Sequence, residues 1–120
     1  MAEWGLTSAA SDWQRLGMKP LSLTPTEIEA ALVTLPGWRC ERDALAKEFE
    51  FQNFREAMAF MLRVSYEAEA LDHHPEWSNV YRRVAVRLNT HSAGGKVTAK
   101  DVELAKRMEK LAGVHHEGAK

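Results

Sequence analysis

Glu69-Ala70-Leu71-Asp72-His73-His74-Pro75-Glu76-Trp77-Ser78-Asn79-Val80-Tyr81 is the stretch on which the reading of this chain turns. A helical period ends in it and a strand-like alternation begins. Upstream, Phe54, Met58, Met61, Val64, Ala68 and Leu71 fall on one helical stripe, with Arg55, Glu56, Arg63 and Glu67 elsewhere. Pro75 forbids continuation, because it pushes His74 out of the helical region. Downstream, Trp77 to His91 reads as strand. Val84, Val86 and Leu88 alternate there with Ala85, Arg87 and Asn89, and Arg82-Arg83 marks a turn.

The pattern repeats on the N-terminal side. Leu45, Phe49 and Phe51 alternate with Ala46, Glu48 and Glu50, with Lys47 interrupting the apolar face. The polar run Glu41-Arg42-Asp43 predicts a turn, so residues 38–51 form a hairpin. Before it, Thr24-Pro25-Thr26-Glu27 is a capping box that opens a helix carrying Ile28, Ala31, Leu32 and Leu35. Pro36-Gly37 stops that helix. After the second hairpin, Ala93-Gly94-Gly95 is a loop. Thr98, with Asp101 three residues on, starts a last helix with Val102, Ala105 and Met108 inside, helped by Leu104 and Leu111. The expected fold is α+β: a four-stranded antiparallel sheet of two hairpins with helices on one face, a ββαββα core preceded by a short helix.

With 120 residues the chain is expected to form one domain, spanning 21–113. Residues 1–20 hold Trp4, Leu6, Trp13 and Leu16 among small polar neighbours and are expected to be an extension, partly disordered. Residues 114–120, with His115-His116-Glu117-Gly118, are expected to be a frayed tail. A net charge of −1 gives no electrostatic case for nucleic acid or an anionic membrane. The lone Cys40 rules out an internal disulfide and a multi-cysteine zinc site. No apolar run approaches membrane-spanning length, and MAEWGLTSAASDW lacks the pattern of a secretory signal, so the expected location is the cytoplasm.

The chemistry concentrates in histidine. His73 and His74 precede Pro75, and His91 closes the strand that follows. Imidazole is the side chain whose ordinary pKa suits proton transfer near neutrality. Asp72 and Glu69 lie just upstream, and a carboxylate beside an imidazole fixes its tautomer. Trp77 and Tyr81 suit stacking on a flat heterocycle. Plainer readings stand beside these. Paired histidines at a helix end can be a solvated C-terminus favoured by the helix dipole. Asp101 is explained by capping alone, Trp77 by the core and Glu69 by a solvated helix face. A three-histidine zinc site lacks the helical His-x-x-x-His spacing. Cys40 is remote from the histidines, and no Gly-x-Ser-x-Gly elbow is present.

The run Glu69 to Tyr81 closely resembles the core motif of the pterin-4a-carbinolamine dehydratases. The resemblance continues through Leu88-Asn89-Thr90-His91 and Gly94-Gly95 to Thr98-Ala99-Lys100-Asp101, and upstream through Leu23-Thr24-Pro25 to Leu35-Pro36-Gly37-Trp38. It covers roughly residues 21–113. The loop between His91 and Asp101 is one residue longer than usual, with Lys96 as the insertion. The resemblance implies loss of water from a 4a-hydroxytetrahydropterin to give a quinonoid dihydropterin, in tetrahydropterin recycling. It implies acid–base work by His73 and His91, with His74 binding substrate and shaping the charge. Asp72, Thr90 and Trp77, with Asn89 and Ser92, are implied to border the pterin, and Glu69 and Asp101 to orient the histidines. No cofactor or metal is implied; the pterin is substrate. The partners expected are the pterin and further copies of the chain, as a homodimer or homotetramer, with no nucleic acid or membrane. The alternative is a non-catalytic dimerisation or transcription-coactivator module on the same fold.

Overall fold

Thr24 opens the first helix as its sequence predicts. Its Oγ1 accepts the Glu27 N–H at 3.1 Å, and Glu27 Oε1 accepts the Thr24 N–H at 2.8 Å. The structure, a computed structural model, describes residues 21–118, with side chains described to residue 113. Helix α1 runs Pro25–Val33. Strands β1 (Arg39–Glu41) and β2 (Ala44–Glu50) follow. Arg42 and Asp43 between them both take positive φ, the geometry of a two-residue hairpin turn that matches strand twist. Helix α2 (Phe54–Leu71) is capped by Asn53, whose Oδ1 accepts the Glu56 N–H at 2.9 Å. Strands β3 (Glu76–Val80) and β4 (Arg83–Leu88) make the second hairpin, and helix α3 covers Ala99–Gly118.

The sheet order is β1-β2-β4-β3, antiparallel throughout. Register sets Leu45 opposite Leu88, Phe49 opposite Val84 and Trp77 opposite Val86. That face meets Ala57, Phe60, Val64 and Leu71 of α2 and Leu104, Ala105 and Met108 of α3 in one core. The α+β arrangement expected from the two hairpins is therefore the one present. Phe60 is fully buried, with ring centroids 4.8 Å from Phe49 and 4.9 Å from Phe51.

Lys47 sits on this apolar face because its amine escapes the core. It reaches the Pro36 carbonyl at 2.9 Å and Glu109 of α3 at 2.5 Å, and Glu109 also accepts the Trp38 indole N–H at 2.7 Å. Gly37 (φ +83°) turns the chain beside it. A Cβ there would stand 3.1 Å from Lys47 Cε.

Three expectations shift. The buried stripe of α2 is Ala57, Phe60, Val64, Ala68 and Leu71, while Phe54 and Met58 are exposed. At 100° per residue Met58 lies about 120° round the helix from Val64, and Ala57 only about 20°. His91 does not end a strand: β4 stops at Leu88, and His91 begins a single 3-10 turn, His91–Ala93. The backbone of α3 runs to Gly118, through most of the expected tail, whose side chains lie outside the described residues. The expected extension, 1–20, also lies outside them.

Candidate active site

The end of α2 delivers the first two imidazoles. The helix closes on Asp72 in the left-handed conformation (φ 51°, ψ 46°), uncommon for a residue other than glycine or asparagine. The Asp72 and His73 N–H groups bond back to the Glu69 and Ala68 carbonyls at 3.1 and 2.9 Å. This tight reversal sends successive side chains different ways. His73 turns inward and is 7% exposed, whereas the His74 side chain is 64% exposed. His74 Nε2 lies 3.1 Å from Glu69 Oε1 on the rim.

The loop after β4 delivers the third. The Thr90 N–H donates to the Lys96 carbonyl at 2.8 Å, and the Gly95 N–H donates to the Thr90 carbonyl at 3.0 Å. These bonds pinch residues 91–95 into a small closed loop. Gly94 and Gly95 both take positive φ, which glycine adopts at no steric cost. His91 stands exposed at its start, with no recorded side-chain hydrogen bond to the described residues.

A cleft of about 440 Å³ gathers these pieces. Its lining is Asp72, His73 and His74 from the end of α2, Asn89, Thr90, His91 and Ser92 from the loop, and Lys100 from the first turn of α3. The three histidines share it. Lys100 carries no site role in the sequence reading beyond a weak basic patch with Arg82, Arg83, Arg87 and Lys96; its Nζ donates to the Asp72 carbonyl at 3.1 Å, bridging the two helix ends. The signal was faint: a lysine one residue before a capping aspartate looks like ordinary surface.

Asp101 lies behind the lining and is fully buried. Its Oδ1 is 2.5 Å from His73 Nε2. Its Oδ2 accepts the Thr90 hydroxyl and the Thr98 N–H, both at 2.8 Å. One carboxylate thus serves as the cap of α3 and as the partner of the buried imidazole. Glu69 meets His74 at the surface. Trp77 is not brought into this lining. Strand alternation turns it to the helix side opposite Val86, where it packs against the core.

Other groups are elsewhere. A smaller cleft of about 240 Å³ on the opposite sheet face carries Arg39, Glu41, Glu48, Glu76 and Arg87 and no histidine. The Arg39 guanidinium, bonded at 2.8 Å, holds the Glu41 carboxyl below its usual range. Burial, helped by Asp43, pushes the exposed Cys40 thiol up, away from the thiolate a nucleophile needs. Among the described residues no three His, Cys, Asp or Glu side chains converge so as to hold a metal ion, and no helix is long and apolar enough to cross a membrane.

Comparison with known proteins adds three findings. The family model described as pterin 4 alpha carbinolamine dehydratase matches residues 21–111. A protein of Opitutus terrae is 63% identical over 95 residues, covering 79% of this chain and 98% of that one; one of Afipia carboxidovorans is 56% identical over 86 residues, covering 69% and 84%. Both bear the name "Putative pterin-4-alpha-carbinolamine dehydratase". A crystal structure of a transcriptional coactivator/pterin dehydratase from Brucella melitensis superposes with a TM-score of 0.74 at 42% identity, covering 77% of this chain and 99% of that one.

Proposed function

This chain belongs to the pterin 4 alpha carbinolamine dehydratase family, and on that premise we propose that it is a hydro-lyase acting on a 4a-hydroxytetrahydropterin in tetrahydropterin recycling. The products are the quinonoid dihydropterin and water. The observation that carries this reading is the convergence of His73, His74 and His91 on one cleft. The substrate, a carbinolamine, holds its hydroxyl and its ring amine on one carbon. Water leaves when an acid protonates the hydroxyl while a base takes the ring N–H proton. Nothing is oxidised or reduced, so the reaction as written asks for no cofactor.

Each residue has a part in this scheme. His73 and His91 carry the proton transfers, and His74, steadied by Glu69, binds the substrate. Asp72, Asn89 and Ser92 border the pterin at the cleft wall. Such acid–base assistance is worth ~10²–10⁴-fold. The test is loss of synthetic 4a-hydroxytetrahydropterin, followed by absorbance against the uncatalysed rate. A His73→Ala, His91→Ala double variant should fall to near background; full turnover by that variant refutes the reading.

A second reading, an interaction module on the same fold, is favoured by one observation. Phe54, Met58, Leu62 and Tyr66 recur every fourth residue along α2 and are 41–69% exposed. A row of that kind is usually covered by protein. Homodimer or homotetramer formation in the cytoplasm is part of the enzyme reading and uses the same row. Light scattering of Leu62→Glu, with the dehydration assay in parallel, separates assembly from catalysis.

A further inference from the structure

With Asp101 as the carboxylate, the contacts around it have one consistent proton order. A carboxylate accepts and does not donate, so at the 2.8 Å contact the Thr90 hydroxyl gives its single hydrogen to Asp101 Oδ2. The Thr90 oxygen then has no hydrogen left for Thr98. At their 2.6 Å contact the Thr98 hydroxyl must donate. Thr98 Oγ1 in turn accepts the Lys100 N–H at 3.2 Å. Thr90, Thr98 and Asp101 are each at most 2% exposed, so water does not scramble the order. Oδ2 is thus filled by two donors, the Thr90 hydroxyl and the Thr98 N–H. Oδ1 is left to take the N–H of His73 Nε2.

We propose that Thr90 and Thr98 are positioning residues which, through Asp101, hold the His73 proton on Nε2 and make Nδ1 the atom that takes the substrate proton. This rests on the dehydratase reading above. His73 lines the cleft and Nδ1 has no hydrogen-bond partner among the described residues, so Nδ1 is the ring lone pair left for the substrate. The step balances. The ring N–H bond breaks and its proton goes to His73 Nδ1. The freed electron pair forms the C=N bond, the C–O bond breaks, and the oxygen leaves as water with a proton from the His91 side. The resulting imidazolium faces the Asp101 carboxylate, which stabilises it. His73 is then the base and His91 the acid. Thr90, whose hydroxyl is spent on Asp101, serves turnover rather than substrate binding.

An asparagine at position 101 tests the polarity directly. With two donors waiting at the Oδ2 position, the amide oxygen must lie there and the NH₂ must face His73. Nε2 would then have to accept, and the ring proton would move to Nδ1. Long-range ¹H–¹⁵N spectra of the imidazoles, recorded where the rings are neutral, read the tautomer without reference to activity. The expected result is Nε2–H for His73 in the wild type and Nδ1–H in Asp101→Asn, with kcat down about 10²–10⁴-fold. Wild-type protein showing Nδ1–H at His73, or an Asp101→Asn spectrum still showing Nε2–H, overturns the proposal whether or not the protein is a dehydratase. Should Asp101→Asn not fold, the wild-type spectrum and the Thr90 pair decide. Thr90→Val should lower kcat about tenfold with KM unchanged, and Thr90→Ser should restore it. A raised KM with unchanged kcat would return Thr90 to the substrate-binding wall and overturn its role here.

Discussion

His73 Nε2 and Asp101 Oδ1, 28 residues apart in sequence, meet at 2.5 Å and join the end of α2 to the start of α3. The pair is nearly dry, 7% and 0% exposed. Removing the carboxylate leaves buried donors unpaired at about 1–3 kcal/mol each, together about 3–5 kcal/mol. Asp101→Ala also orphans the Thr90 hydroxyl and the Thr98 N–H. We expect it to lose about that much in urea unfolding; a change under about 1 kcal/mol would mean that water reaches the site.

His91 should behave in the opposite way. Its ring is exposed and makes no hydrogen bond among the described residues, so His91→Ala should leave the melting temperature within a degree or so of wild type. Its turnover should fall by ~10²–10⁴-fold. Equal losses in stability and rate would show instead that the ring props up the loop.

Phe60 and Phe54 share a helix and differ in fate. Phe60→Ala empties the space between Phe49 and Phe51 and should cost about 3–5 kcal/mol. Phe54 is 55% exposed, and Phe54→Ala should change monomer stability by no more than about 0.5 kcal/mol. Denaturant midpoints at low protein concentration make the comparison.

Gly37→Ala meets two obstacles at once. The residue holds φ +83°, and the new methyl would press on Lys47 Cε at 3.1 Å. The left-handed backbone alone costs about 1–2 kcal/mol. Calorimetry should show a lowered melting temperature. Truncating Lys47 in the same chain should recover only the part due to crowding.

Cys40 should alkylate slowly at neutral pH. With its pKa raised, the reactive thiolate fills only above the ordinary thiol range, so the rate with iodoacetamide should climb there. A rate profile that levels off below the value for free cysteine would contradict the burial and the Asp43 charge given as causes.

These cases also mark what the residues disclose by themselves. The element order and both hairpins were legible, because period-2 and period-3.6 patterns alternate with clear stops at Pro36-Gly37 and Pro75. The face of α2 was legible only in its second half. Phe54 and Met58 are apolar without being inside, and hydropathy cannot separate a core stripe from a docking row. The histidines drew attention through their chemistry. Thr90 drew it only as a wall of the pterin site, since a hydroxyl spent on a buried carboxylate looks in sequence like one left for a ligand. Trp77 stayed open in sequence between cleft and core: one strand position decides, and pairing with Val86 puts it on the helix side of the sheet.

Beyond the pinched neck at Thr90 and Lys96 the two glycines touch little else: Gly95 closes the neck through its N–H, and both hold the left-handed backbone of the turn. Added methyl groups at Gly94 and Gly95 would meet nothing within 4 Å. Extra residues spliced between them would bulge into solvent, provided that the Gly95 N–H keeps its bond to the Thr90 carbonyl. That makes this tip a natural place to fuse a reporter, or for length to drift between descendants, without disturbing the ring at its base.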